Sequence, residues 1–134
     1  MQRRTIASKQ APEAIGPYSQ AIAAGDWVFL SGQIPIDPDT GSLVTGDIKA
    51  ATTRVMENLG AVLQAADLTF DHVVKTTIYL IDLNDFATVN AVYAQYFPKN
   101  PPARATVQVA ALPRGVAVEI DAIAFLAGSK NSGT

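Results

Sequence analysis

The sequence predicts an α/β domain of the α+β kind: a six-stranded mixed sheet with two helices on one face. Three observations predict it. Two segments repeat their apolar residues at three- and four-residue steps, the period of one helix face. Six short segments carry the β-branched, aromatic or alternating residues that suit a pleated surface. The chain order is β-β-β-α-β-α-β-β, and its two strand–helix–strand units imply right-handed crossovers that set both helices on the same side.

The elements follow in order. Arg4 to Ala7 reads as a short first strand, and Pro12 with Gly16-Pro17 punctuates the loop behind it. Ala21 to Ala24 and Trp27 to Gly32 flank Gly25-Asp26, the pattern of a hairpin. Pro35, Asp37-Pro38-Asp39 and Thr40-Gly41 mark a turn-rich connection. Asp47 stands at an N-cap position ahead of Ile48, Ala51, Val55, Leu59, Val62 and Ala66, the apolar stripe of the first helix. Lys75 to Ile81 is a strand. A second helix begins near Asn84 or Asp85, carries Phe86, Val89, Tyr93 and Phe97 on one stripe, and is expected to end at Asn100-Pro101-Pro102. Arg104 to Val109 and Val116 to Leu126 are the last strands. In the final one, Val118, Ile120, Ala122 and Ala124 face one way and Glu119, Asp121, Ile123 and Phe125 the other. Two helices cover only one face, so apolar residues on both faces predict a homo-oligomer.

Composition bounds the function. The chain has 134 residues, which suits a single domain, here residues 1–127, with a Gly/Ser/Asn/Lys-rich tail over 128–134 expected to be flexible. A net charge of -2 argues against a nucleic-acid partner, since phosphate binding needs a clustered basic surface. The chain contains no cysteine, which excludes disulfides, thiolate catalysis and cysteine-ligated metals. No apolar run approaches membrane-spanning length and no signal peptide is visible, so a soluble cytoplasmic protein without membrane partners is expected. The single histidine, His72, reads as a surface residue in a helix–strand connection, with no second histidine for a metal pair.

A few polar residues stand out against this background. Arg104 begins an apolar strand after Pro101-Pro102-Ala103. Its guanidinium suits a carboxylate ligand gripped through two parallel hydrogen bonds; a salt bridge at a strand end is the plainer reading. Glu119 lies mid-strand among apolar residues. It could position or deprotonate a water, or serve as an ion-pair partner, for Arg104 among others. Tyr18 and Ser31 each read singly as capping or surface groups. Asn90 falls on the buried stripe of the second helix, where an amide needs partners.

Read together, these segments resemble the Rid family, known also as YjgF, YER057c and UK114. The resemblance rests on Gly16-Pro17-Tyr18-Ser19-Gln20-Ala21, Ser31-Gly32-Gln33-Ile34-Pro35, Asn84-Asp85-Phe86 with Asn90 and Tyr93, Pro102-Ala103-Arg104-Ala105-Thr106-Val107, and Val118-Glu119-Ile120-Asp121-Ala122. It runs from about Arg4 to Phe125. It implies a chorismate-mutase-like fold assembled as a homotrimer around a central barrel, with three clefts between subunits. It also implies 2-iminobutanoate/2-iminopropanoate deaminase activity without pyridoxal phosphate or metal. The substrates would be imines derived from the enamines that pyridoxal-phosphate-dependent dehydratases release. By resemblance, Arg104 binds the substrate carboxylate, Glu119 attends the hydrolytic water, and Tyr18, Ser31, Gly32 and Asn90 line the cleft. Many relatives have cysteine where this chain has Thr106, which is expected to supply a hydroxyl to ligand or water. A regulatory protein that binds 2-oxo acids and an RNA-cleaving translation inhibitor are the alternative functions.

Overall fold

A computed structural model describes residues 2–126. The expected tail over 128–134 lies outside the described residues. The strands are β1 (Arg3–Ile6), β2 (Ala21–Ala24), β3 (Trp27–Gln33), β4 (Val73–Leu80), β5 (Ala103–Gln108) and β6 (Val118–Phe125), and the α-helices are α1 (Ile48–Ala65) and α2 (Phe86–Ala94). They form one six-stranded sheet in the order β1-β2-β3-β6-β4-β5. Only β4 and β5 pair in parallel; the other neighbours are antiparallel. Strand β6 runs antiparallel to both β3 and β4, so those two are parallel to each other with β6 between them. Each helix therefore joins two parallel strands, as the order of elements predicts.

Alternation along the strands sorts the residues onto two faces. Val118, Ile120, Ala122 and Ala124 of β6 are buried with Ile78 and Leu80 of β4 and Val28 and Leu30 of β3. They share one core with Ala51, Val55, Met56, Leu59, Val62 and Leu63 of α1 and Val89 and Tyr93 of α2. Both helices thus cover the same face. The opposite face, hereafter the open face, carries Trp27 and Phe29, 44% and 46% exposed, with the Trp27 ring 4.7 Å from that of Phe125.

Local chemistry sets the helix ends. The Asp47 side chain accepts from the Lys49 amide at 3.0 Å, which satisfies one of the first unpaired donors of α1. The second helix stops at Ala94, short of the expected stop at Asn100-Pro101-Pro102. The amides of Gln95, Tyr96 and Phe97 bond to the carbonyls three residues back, which tightens the last turn. Pro98 follows immediately; it disfavours helical backbone at the residue before it and has no N–H of its own. The stripe of α2 differs in another respect. Its buried residues are Val89, Val92 and Tyr93, while Phe86 and Asn90 are exposed. Asn90 is a partnered edge residue, not the buried amide that its spacing predicts. Strand β1 begins and ends one residue earlier than expected. His72 is partly exposed, and its Nδ1 accepts from the Thr69 amide at 3.1 Å in a short capped turn ahead of β4.

One buried amide organises the loop after β3. Asn58, in the middle of α1, is 0% exposed. Its Nδ2 donates to the carbonyls of Ile34 and Ile36 at 3.3 and 3.0 Å, and its Oδ1 accepts from Arg54 Nε at 3.1 Å. Helical periodicity marks position 58 as inward but gives no reason for a polar group there. The amide stands in for strand pairing where the chain leaves the sheet. Asn58→Leu should therefore lower stability by about 1–3 kcal/mol, since two carbonyls and an arginine lose their partner at similar side-chain volume. Urea unfolding measures this, and a change under about 0.5 kcal/mol would show that the loop is held by something else.

Candidate functional site

The expected site residues fall into two groups, one on each face of the sheet. The first lies around a bulge in β3. Leu30 pairs with Ala122 and Gln33 with Ile120, so β3 has one residue more than β6 across this step. Leu30 and Gln33 both point to the helices, and Ser31 and Gly32 form the bulge. A cleft of about 570 Å³ opens here; Tyr18, Ser31, Gly32 and Glu119 line it beside apolar Ile34 and Ile36.

Each of these residues has a local reason for its place. The Ser31 hydroxyl donates to the Ser19 carbonyl at 2.6 Å and the Ser31 amide to the Gln20 carbonyl at 2.9 Å, which ties the bulge to the preceding loop. Buried Gln20 extends that tie: its Nε2 donates to the Pro12 and Ser8 carbonyls at 2.7 and 3.2 Å. Tyr18 is half exposed at the rim. Glu119 lies flat over Gly32. A Cβ at position 32 would collide with Glu119 Oε2 and come within 2.9 Å of its Cδ, so glycine leaves the space that the carboxylate fills. Partial burial pushes the Glu119 carboxyl above the usual range, and Asp121 on the same face adds to the shift. Asp121 in turn accepts from the Tyr79 hydroxyl at 3.0 Å.

The second group surrounds Arg104. In the parallel ladder Arg104 pairs with Thr76 and Thr106 with Ile78. Thr76 and Ile78 face the helices, so Arg104 and Thr106 do too. Arg104 Nη1 donates to Asn90 Oδ1 at 2.8 Å. The guanidinium carbon lies 5.0 Å from the centre of the Tyr93 ring and 5.7 Å from that of Phe86, both within cation–π range. No ion pair to Arg104 occurs among the described residues. The Thr106 hydroxyl oxygen is buried and has no hydrogen-bond partner among the described residues.

The structure thus brings Tyr18, Ser31, Gly32 and Glu119 together, and separately Asn90, Arg104 and Thr106. It does not join the two groups within one chain. Glu119 pairs with Tyr79 across the β4–β6 ladder and belongs to the open face. An ion pair between Arg104 and Glu119, one of the sequence expectations, is absent for that reason. The sequence reading did not single out Phe86, Tyr93 and Thr76 as neighbours of Arg104, or Gln20 as the anchor of the cleft loop. The spacing of Phe86, Asn90 and Tyr93 at four and three residues was the available signal.

Comparison with known proteins identifies the family. The sequence model of the family described as endoribonuclease L-PSP matches residues 8–126. The protein DfrA of Myxococcus xanthus is 64% identical over 126 residues, covering 92% of this chain and 96% of its own. The human protein named 2-iminobutanoate/2-iminopropanoate deaminase is 51% identical over 123 residues, covering 92% of this chain and 90% of its own. Among solved structures, a protein of unknown function from the Rid family of Yersinia pestis superposes with a TM-score of 0.91 at 50% identity, covering 92% of this chain and 99% of that one.

Gly32→Ala tests the fit between the bulge and the carboxylate. The far end of Glu119 is flexible, so the fold should survive while the carboxylate swings out toward solvent. Its pKa should then fall toward the ordinary carboxylate value, because burial is what raises it. A carbon-13 NMR titration of the carboxyl group reads this directly. An unmoved Glu119 titration in folded Gly32→Ala would contradict the packing described.

Proposed function

Because this chain belongs to the endoribonuclease L-PSP, or Rid, family, we propose that it hydrolyses small 2-imino acids to 2-oxo acids and ammonia. The observation that carries the proposal is the state of Arg104. One nitrogen is committed to Asn90, aromatic rings hold the guanidinium, and the remaining donors have no acceptor among the described residues. A planar guanidinium with free donors matches the two oxygens of a carboxylate. The human relative bears the name of an enzyme whose substrates, 2-iminobutanoate and 2-iminopropanoate, carry such a carboxylate beside the C=N bond.

The chemistry needs positioning and proton management. Arg104 holds the carboxylate and fixes the plane of the adjacent C=N. Glu119 orients a water toward the imine carbon and takes its proton during attack. The C–O bond forms as the C=N π bond of the protonated imine opens onto nitrogen, giving a neutral carbinolamine. The nitrogen then accepts a proton and leaves as ammonia, and the hydroxyl loses its proton to become the carbonyl of the 2-oxo acid. A raised Glu119 pKa suits this exchange, since burial makes the carboxylate a stronger base for the proton it takes and returns. The unpartnered Thr106 hydroxyl supplies a further hydrogen bond to ligand or water. His72, tied to Thr69, lines neither half of the site, and the net charge of -2 offers RNA no electrostatic attraction.

Within one chain Arg104 and Glu119 stand on opposite faces, so this reading requires a second copy. The edge strand β5 of one subunit would bring its Arg104 to the open-face cleft of the next, with three such clefts in a homotrimer. Two features support the assembly: the exposed Trp27, Phe29 and Val107 on the open face, and the unpaired edge of β5. Measured in solution at micromolar concentration, the mass should be three times that of the chain. A monomer at that concentration would rule out the shared site.

Arg104→Ala should fold and assemble but lose imine hydrolysis by at least about 100-fold, because two charge-assisted hydrogen bonds and the orientation they impose disappear together. Arg104→Lys should be badly impaired as well, since an ammonium keeps the charge without the planar fork. The measurement couples a threonine dehydratase to threonine and follows ammonia release. Wild-type protein without any acceleration would refute the deaminase assignment; folded Arg104→Ala within about threefold of wild type would refute the clamp.

A further inference from the structure

We propose that Tyr93 is the positioning residue of the Arg104 clamp, its ring serving as the platform that fixes the plane of the guanidinium and its hydroxyl tethering that ring to Thr76. The inference rests on the reading of Arg104 given above and extends it to a residue outside the expected site.

The argument is geometric. Arginine is a long side chain with many rotamers, and on an exposed edge strand nothing in its own backbone holds the head group. Asn90 fixes one nitrogen with a single hydrogen bond, about which the guanidinium can still pivot. A ring beneath the plane removes that freedom. Two rings are in range, but they differ in rigidity. Phe86 is 40% exposed at the start of α2 and 5.7 Å away. Tyr93 is 4% exposed and 5.0 Å away, and its hydroxyl lies 2.6 Å from Thr76 Oγ1, itself 2% exposed. Thr76 is also the strand partner of Arg104 in the β4–β5 ladder. The same residue therefore stands beside the backbone of the arginine and holds the far end of the ring beneath its head group. That closes a path from backbone to head group in which every joint is packed or hydrogen-bonded. Burial raises the Tyr93 pKa, so its hydroxyl stays protonated and the Thr76 bond persists across the working pH range.

Packing alone would not require this arrangement. Val89 and Val92 fill the buried stripe of α2 without any polar atom. A core role predicts that replacements of Tyr93 change stability and nothing else. The positioning role predicts a separation of stability from substrate affinity. Tyr93→Phe removes the tether but keeps the ring, so its melting temperature should fall and its KM for 2-iminobutanoate should rise about threefold, less than when the ring itself is lost. Tyr93→Leu removes the platform, and its KM should rise about tenfold with kcat much less affected, because cation–π support of a partly desolvated arginine is lost. Tyr93→Met, closer in length, serves if Tyr93→Leu does not fold.

The experiment pairs these kinetics with NMR of the Arg104 side-chain Nε–Hε group, assigned by its disappearance in Arg104→Ala. In the wild-type protein the signal should be displaced by the ring current of Tyr93, and in Tyr93→Leu it should move toward the free-arginine position. The two arms separate the two readings. A wild-type protein that does not hydrolyse 2-iminobutanoate defeats the proposed function, and the NMR comparison alone then decides the positioning of Arg104. A folded Tyr93→Leu or Tyr93→Met with wild-type KM, or with an unmoved Arg104 signal, overturns the role of Tyr93 while leaving the deaminase reading intact.

Discussion

Strand β6 is the constraint on which the rest of the molecule depends. It is hydrogen-bonded along both edges, to β3 and to β4, and sits at the centre of the sheet. Val118, Ile120, Ala122 and Ala124 are all nearly inaccessible beneath the helices. Burying each valine or isoleucine side chain stabilises the fold by about 1.5–3 kcal/mol, so a one-residue slip that turned them outward would be ruinous. Because the period of a strand is two, that same burial forces Glu119 and Asp121 to the opposite face. The position of the candidate general base is therefore a by-product of how the core is packed.

The register of β5 has the complementary effect. It pairs in parallel with β4, so Arg104 inherits the helix-facing orientation of Thr76. There it meets Phe86, Asn90 and Tyr93, residues of α2 that share one side of the helix because they are spaced four and three apart. The two halves of the site are held by different layers of the same core, one by the β3 bulge and one by α2. The proposed deaminase function requires a cleft shared between subunits, because the two halves lie on opposite faces of one chain's sheet.

Irregular segments are fixed by amides. Asn58 holds the Ile34–Ile36 segment from a helix, and Gln20 holds Ser8 and Pro12 from the head of β2. Each replaces backbone pairing where the chain departs from regular structure. Both segments border the cleft, so these two amides help to set its shape, Gln20 from its wall and Asn58 from outside it. Gly32 contributes in the opposite way: the side chain it lacks is the space that Glu119 fills.

Periodicity was enough to place both helices, the Gly25-Asp26 hairpin and the two-faced final strand, because each is decided by residues close in sequence. Residue type and position marked Arg104, Glu119 and Asn90, and the resemblance to the Rid family added Tyr18, Ser31, Gly32 and Thr106. The end of α2 is legible too, since Pro98 comes ahead of the more conspicuous Pro101-Pro102. Other features depend on pairing between distant segments. Whether Arg104 and Glu119 share a face is a matter of two strand registers, and no local pattern reports a register. The exposure of Asn90 depends on what packs against α2, and the role of Asn58 on a loop 22 to 24 residues away. Tyr93 reads as an ordinary core aromatic until Thr76, 17 residues distant, is seen at its hydroxyl and Arg104 above its ring. Local sequence determines which residues lie on one side of an element; only the packed fold decides what that side meets, because such contacts form between segments that hydrophobic burial brings together from far along the chain.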